Sequence, residues 1–162
     1  NAGLHGDCKI ISRRYGGPLT LASYDAPLVL FYYQVSLMKM WENMKAGVLT
    51  LIPTPEFYDY ILTSVASRSQ FGQLRRAVQQ CGKNWAYECT DFYVPEYQPC
   101  SLQFNSWKEL ASIINTKSWK EQKKVCDDYR PKYPQTQLNL WDDFFTNTMK
   151  FLKPLDDKKE NN

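Results

Sequence analysis

Five cysteines, Cys8, Cys81, Cys89, Cys100 and Cys126, constrain this chain more than any other feature of its sequence. They are dispersed, form no CxxC pair and are accompanied by a single histidine, His5, so the spacing of a zinc site is missing. Thiols scattered in this way suit disulfides in an extracellular or other oxidising compartment. The chain starts at Asn1 rather than at a methionine, which reads as an end left by processing and points the same way. Cys81, Cys89, Cys100 and Cys126 frame one long irregular stretch and are expected to form two bridges, in a pairing that sequence alone leaves open. Cys8 is then unpaired or bonded to another chain. The rival reading is five reduced thiols buried as small hydrophobes inside a cell.

With 162 residues, 43% of them hydrophobic, the chain is long enough to enclose a core. Its longest apolar run is residues 27–33, far short of the roughly 18–20 residues that a membrane-spanning helix needs. The net charge is only +3, and the basic pairs Arg13–Arg14, Arg75–Arg76, Lys123–Lys124 and Lys158–Lys159 lie apart. A nucleic-acid binder concentrates such residues on one face, so these read as solvated surface charge.

Residues 1–25 read as an irregular arm, in which residues 8–12 or 19–23 could be short extended pieces. A long central helix is expected next. Asp25 suits its N-cap, Pro27 its first turn and Gly47 its end, and Val29, Leu30, Tyr33, Leu37, Met40, Trp41 and Met44 share one arc. Thr54-Pro55-Glu56 opens a second helix, with Phe57, Tyr58, Ile61, Leu62, Val65 and Ala66 facing inward. Phe71, Leu74, Ala77, Val78 and Cys81 form another stripe that ends at Gly82. The two stripes point in nearly opposite directions, so a break is expected at Ser67–Ser69. Residues 83–104 lack a helical period, carry Pro95 and Pro99, and read as an irregular segment tied down by cysteines. Ser106-Trp107-Lys108-Glu109 and Ser118-Trp119-Lys120-Glu121 both match the capping box, which predicts helices over roughly 107–116 and 119–129. A last helix is expected from about Leu138 to Leu152, with Leu138, Trp141, Phe144, Phe145, Met149, Phe151 and Leu152 packed inward and Pro154 as its stop. The expected fold is all-α, an irregular bundle of five to six amphipathic helices. It comprises an arm (1–25), a single helical domain (26–153) and a polar tail (154–162).

Catalytic patterns are scarce. His5 sits among glycines in the arm, and the nucleophile-elbow, P-loop, dinucleotide and EF-hand motifs are absent. Asp127–Asp128, Asp142–Asp143 and Asp156–Asp157 are adjacent pairs, whose side chains diverge by about 100° on a helix and do not converge on one ion. No enzyme activity, cofactor or metal is expected.

The aromatic content, 11 Tyr, 8 Phe and 5 Trp, is the more informative feature. Five rings, Trp85, Tyr87, Phe92, Tyr93 and Tyr97, crowd the irregular segment. They are either a recognition surface or a cover for one end of the bundle. The expected function is that of a non-enzymatic, secreted-type interaction protein presenting this segment to a protein partner or a larger assembly. The alternative is a carrier holding a small hydrophobic ligand between helices, against Tyr33, Met38, Met40, Trp41 and Met44.

Overall fold

A computed structural model describes residues 16–64 and 71–156, with side chains as far as residue 149. It divides into two compact units, one ending at Arg130 and one beginning at Pro131. The body expected over 26–153 therefore spans both. Cys8, residues 8–12 and the break at Ser67–Ser69 lie outside the described residues.

The first unit is mostly helical, but a three-stranded parallel sheet runs through it, so the all-α expectation needs correction. The strands are β1 (Leu28–Val29), β2 (Thr50–Pro53) and β3 (Ser101–Phe104), in that spatial order. Leu28 pairs with Thr50, and Thr50 with Ser101. All four residues of β2 are buried. A buried strand must find partners for its backbone on both edges, and β1 supplies one of them. The Leu28 N–H donates to the Leu49 carbonyl, and the Leu30 N–H to that of Leu51, both at 2.9 Å.

This pairing displaces the long helix expected from Asp25 to Gly47. Only α2 (Met38–Lys45) forms, and it serves as the crossover between two parallel strands. A short apolar run does not distinguish a buried strand from a buried helix, and the aromatic and β-branched residues Phe31, Tyr32, Tyr33 and Val35 favour extended backbone. Residues 18–22 make a short helix, α1, where 19–23 was expected to be extended. Gly47, at φ 81°, turns the chain from α2 toward β2, and the Arg130 guanidinium packs over it.

The helices that begin at a clear cap fall where the sequence places them. In α3 (Pro55–Ser64) the Thr54 hydroxyl accepts from the Phe57 N–H at 3.3 Å, and Phe57, Tyr58, Ile61 and Leu62 are buried. The next helix, α4 (Gly72–Cys81), buries Leu74 and Ala77 and closes at Gly82, which has φ 59°. Helices α6 (Trp107–Thr116) and α7 (Trp119–Tyr129) occupy the residues expected, parted at Lys117 in the left-handed region. Ser106 caps α6 by accepting from the Glu109 N–H, and the Glu109 carboxylate accepts from the Asn105 N–H. Ser118, by contrast, is itself helical and makes no cap bond.

The segment expected to be irregular contains α5 (Trp85–Cys89), two 3-10 turns (Gly82–Asn84 and Gln98–Cys100) and β3. Its ends are tied by two disulfides. Cys81–Cys89 joins α4 to α5, and Cys100–Cys126 joins the second 3-10 turn to α7, with Cα separations of 6.5 and 4.5 Å.

The second unit holds α8 (Tyr133–Asp156), longer at both ends than expected. Pro134 lies in its first turn, where its missing N–H costs nothing, and Pro154 lies in its last. Leu138, Trp141, Phe144, Phe145 and Met149, expected on one face, are each more than half exposed. A helical period identifies a face without saying what covers it. The side chains of Phe151 and Leu152 lie outside those described. Among the described residues no helix is long and apolar enough to cross a membrane.

Peptide mapping of the unreduced protein is expected to return Cys81–Cys89 and Cys100–Cys126. The loop-entropy account assigns about 3.5 kcal/mol to a 26-residue closure and about 2.5 kcal/mol to an eight-residue one. Replacing Cys100 and Cys126 by serine is accordingly expected to lower the urea midpoint more than replacing Cys81 and Cys89. Any other pairing, or the reverse order of effects, contradicts this topology.

Candidate functional site

Four of the five rings expected to form a recognition surface are inside the protein. Trp85, Phe92, Tyr93 and Tyr97 are each at most 1% exposed, and only Tyr87 faces solvent. The physical cause is β2. Its Pro53 carbonyl accepts from the Tyr93 hydroxyl at 2.7 Å, and its Thr50 hydroxyl accepts from the Tyr97 hydroxyl at 2.8 Å. The Tyr32 hydroxyl donates to that of Tyr93 at 2.6 Å, the Tyr58 hydroxyl donates to the Tyr32 carbonyl, and the Tyr32 ring stacks on Phe92. Tyrosine suits such a position because one end is apolar and the other bonds to buried polar groups. The segment 85–97 is a plug of the core, not a displayed loop.

Burial pushes the Tyr32, Tyr58, Tyr93 and Tyr97 phenols well above the ordinary tyrosine range, because the phenolate is poorly solvated there. The hydrogen bond that Tyr93 makes with Tyr32, and the one that Tyr97 makes with Thr50, each oppose the rise only in part.

The residues expected to line a ligand cavity divide between core and surface. Met40 and Met44 are buried, Trp41 is half-buried with its edge against Tyr97, and Tyr33 and Met38 are exposed. A separate open cleft of about 190 Å³ lies between α3 and α4, lined by Asp59, Leu62, Thr63, Arg75, Val78 and Gln79. The Arg75 guanidinium donates to the Leu62 carbonyl, and Asp59 is held above its usual pKa by partial burial, against a hydrogen bond from Trp85. Among the described residues no three of His, Cys, Asp and Glu are grouped as metal ligands.

What sequence reasoning missed is the carboxyl edge of the sheet. The three strands are parallel, so their C-terminal ends open at the same edge, the place where open parallel sheets bind their ligands. Each strand delivers an aromatic residue there. Phe31 follows β1, Phe57 lies in the first turn of α3 after β2, Phe104 ends β3 and Trp107 starts α6. Phe31 meets Trp107 at 5.6 Å and Phe104 at 6.2 Å between ring centroids. Phe57 meets Trp107 at 5.3 Å, Phe104 at 5.9 Å and, stacked, Tyr60 at 6.0 Å. Phe104 and Phe57 form the buried floor. Phe31, Trp107 and Tyr60 stand above it, 36%, 41% and 54% exposed. The signal available beforehand was two strand-like runs, each followed at once by a helix cap (Thr54 and Ser106), which brings both turns to one edge of a parallel sheet.

Comparison with protein-family models, with curated proteins and with solved structures finds no match. The reading of this edge rests on its own geometry.

Tyr93→Phe removes a bond to Pro53 and strands the Tyr32 hydroxyl, and is expected to cost about 2 kcal/mol in urea unfolding, against about 1 kcal/mol for Tyr97→Phe. Unfolded tyrosines ionise near pH 10, at about their ordinary pKa, whereas the buried ones stay protonated. The stability they confer is therefore complete below pH 10 and is lost as pH climbs toward their raised values. A phenolate absorbance titration is expected to show a late, cooperative step that coincides with unfolding. A single step near pH 10 with the fold intact contradicts this burial.

Proposed function

We propose that this chain is a non-enzymatic interaction protein of an oxidising compartment, which docks a protein partner on the aromatic carboxyl edge of its sheet. The observation that carries the reading is the ring cluster at that edge. In a molecule that sinks Trp85, Phe92, Tyr93 and Tyr97 into its core, Phe31, Tyr60 and Trp107 stay exposed while the rings of Phe57 and Phe104 hold them from beneath. Rings held in place this way lose little freedom on binding, and clustered aromatics are where binding energy concentrates in protein interfaces. Glu56, Asn105 and Lys108, beside these rings in the chain, are exposed and offer the polar groups that the rim of a docking patch carries. The partner this edge suits is a protein segment offering one or two apolar anchors within a polar frame.

The two disulfides, with no membrane-crossing helix among the described residues, are compatible with an extracellular or other oxidising setting. Of the five rings first expected to form the surface, Trp85, Tyr87, Phe92, Tyr93 and Tyr97, only Tyr87 reaches the exterior. The carrier alternative gains nothing from Tyr33, Met38, Met40, Trp41 and Met44, which divide between surface and core.

Peptides selected by display against the oxidised protein test the assignment. The selected binders are expected to lose at least about thirtyfold in affinity against Phe31→Ala and Trp107→Ala, the size of an interface hot spot, and to be indifferent to Tyr33→Ala. Binders unaffected by both edge substitutions overturn it.

A further inference from the structure

The second unit carries an apolar face of its own on α8. Leu138, Trp141, Phe144, Phe145 and Met149 are between 56% and 58% exposed. The three rings lock against one another, Trp141 with Phe144 at 5.9 Å, Trp141 with Phe145 at 5.8 Å and Phe144 with Phe145 at 5.6 Å. The spacing from 138 through 141 and 145 to 149 keeps the stripe on one side of the helix, about 36 Å long at 1.5 Å per residue. Single exposed apolar residues need no explanation, but five in one stripe do.

We infer that this face is the interface between two copies of the chain, packed helix against helix in antiparallel orientation. The area argues for it. Aromatic side chains carry 150–250 Å² each, so the exposed part of the five residues amounts to roughly 500 Å² per copy. Two copies together remove about 1,000 Å², which is the threshold for a specific interface of modest strength. The stripe is also complementary to itself. About a two-fold axis near residue 143, Leu138 of one copy meets Met149 of the other, and Trp141 meets Phe145, so the contacts within the stripe are apolar on both sides. Antiparallel packing further opposes the two helix dipoles, which a parallel pair would align. Asp142, beside the stripe and close to the axis, faces its own counterpart, and this repulsion sets the dimer's character. It is weak at low ionic strength and tightens as salt screens the two carboxylates.

Sedimentation velocity of the whole oxidised chain from 1 to 200 µM tests the inference. A monomer–dimer equilibrium in the micromolar range is expected, strengthened several-fold between 50 and 500 mM NaCl. Phe145→Asp and, separately, Met149→Asp are expected to leave a monomer with an unchanged circular dichroism spectrum, because both positions are exposed in one copy. Trp107→Ala is expected to leave the equilibrium untouched, which keeps this test separate from that of the sheet edge. A chain that stays monomeric at 200 µM in both salts, or a dimer that survives both aspartate substitutions, overturns the inference.

Discussion

The middle strand, Thr50–Pro53, is the constraint on which the rest of the first unit depends. All four of its residues are buried, so every polar group it carries needs a partner inside the protein. Parallel pairing with Leu28–Val29 and Ser101–Phe104 supplies backbone partners on either side. Two polar groups remain, the Thr50 hydroxyl and the Pro53 carbonyl, and phenols from Tyr97 and Tyr93 meet them. A buried acceptor left unsatisfied costs on the order of 1–3 kcal/mol, comparable to burying a large apolar side chain, so these two bonds weigh heavily.

From this follows the position of the segment 85–100. Its tyrosines must reach the middle strand, which draws Trp85 and Phe92 inward with them. The disulfides then hold the two ends of the segment, Cys89 against α4 and Cys100 against α7, where regular hydrogen bonding is sparse. With those rings committed to the core, the cluster of packed aromatic residues that this unit still exposes is the one at the carboxyl edge. Parallel strands are what collect Phe31, Phe57, Phe104 and Trp107 there, from three stretches far apart along the chain.

Local chemistry was legible in the sequence and long-range pairing was not. Thr54-Pro55 and Ser106-x-x-Glu109 specify helix starts through bonds within four residues, so α3 and α6 begin where the caps place them. Lys117, a residue with no turn signature, marks the α6–α7 break, which the sequence signalled through the second S-x-x-E match at Ser118, although Ser118 makes no cap bond. The stretch 27–46 misled because the Leu28 and Leu30 N–H groups donate to carbonyls of a strand some twenty residues away, and helical periodicity is blind to such bonds. Residues 48–53, apolar and bounded by Gly47 and Thr54-Pro55, carried a strand signal that a helical reading of the whole chain passed over. The five rings at 85–97 were conspicuous by composition, yet composition does not separate a ring that seeks a partner from one that satisfies a buried carbonyl. The stripe on α8 likewise defined a face correctly and left its cover open.

Nuclear Overhauser contacts between backbone protons of residues 27–33 and 48–53 measure the central claim most directly. Parallel pairing predicts cross-strand contacts between the amide or α protons of Leu28 and those of Leu49 and Thr50, and between Leu30 and Leu51, with strong sequential α-to-amide contacts along 28–31. A ladder of contacts from each residue to the one three further on, running from Pro27 through Tyr33, would mean a helix there. The middle strand would then lack its partner, and the account built on it would fail.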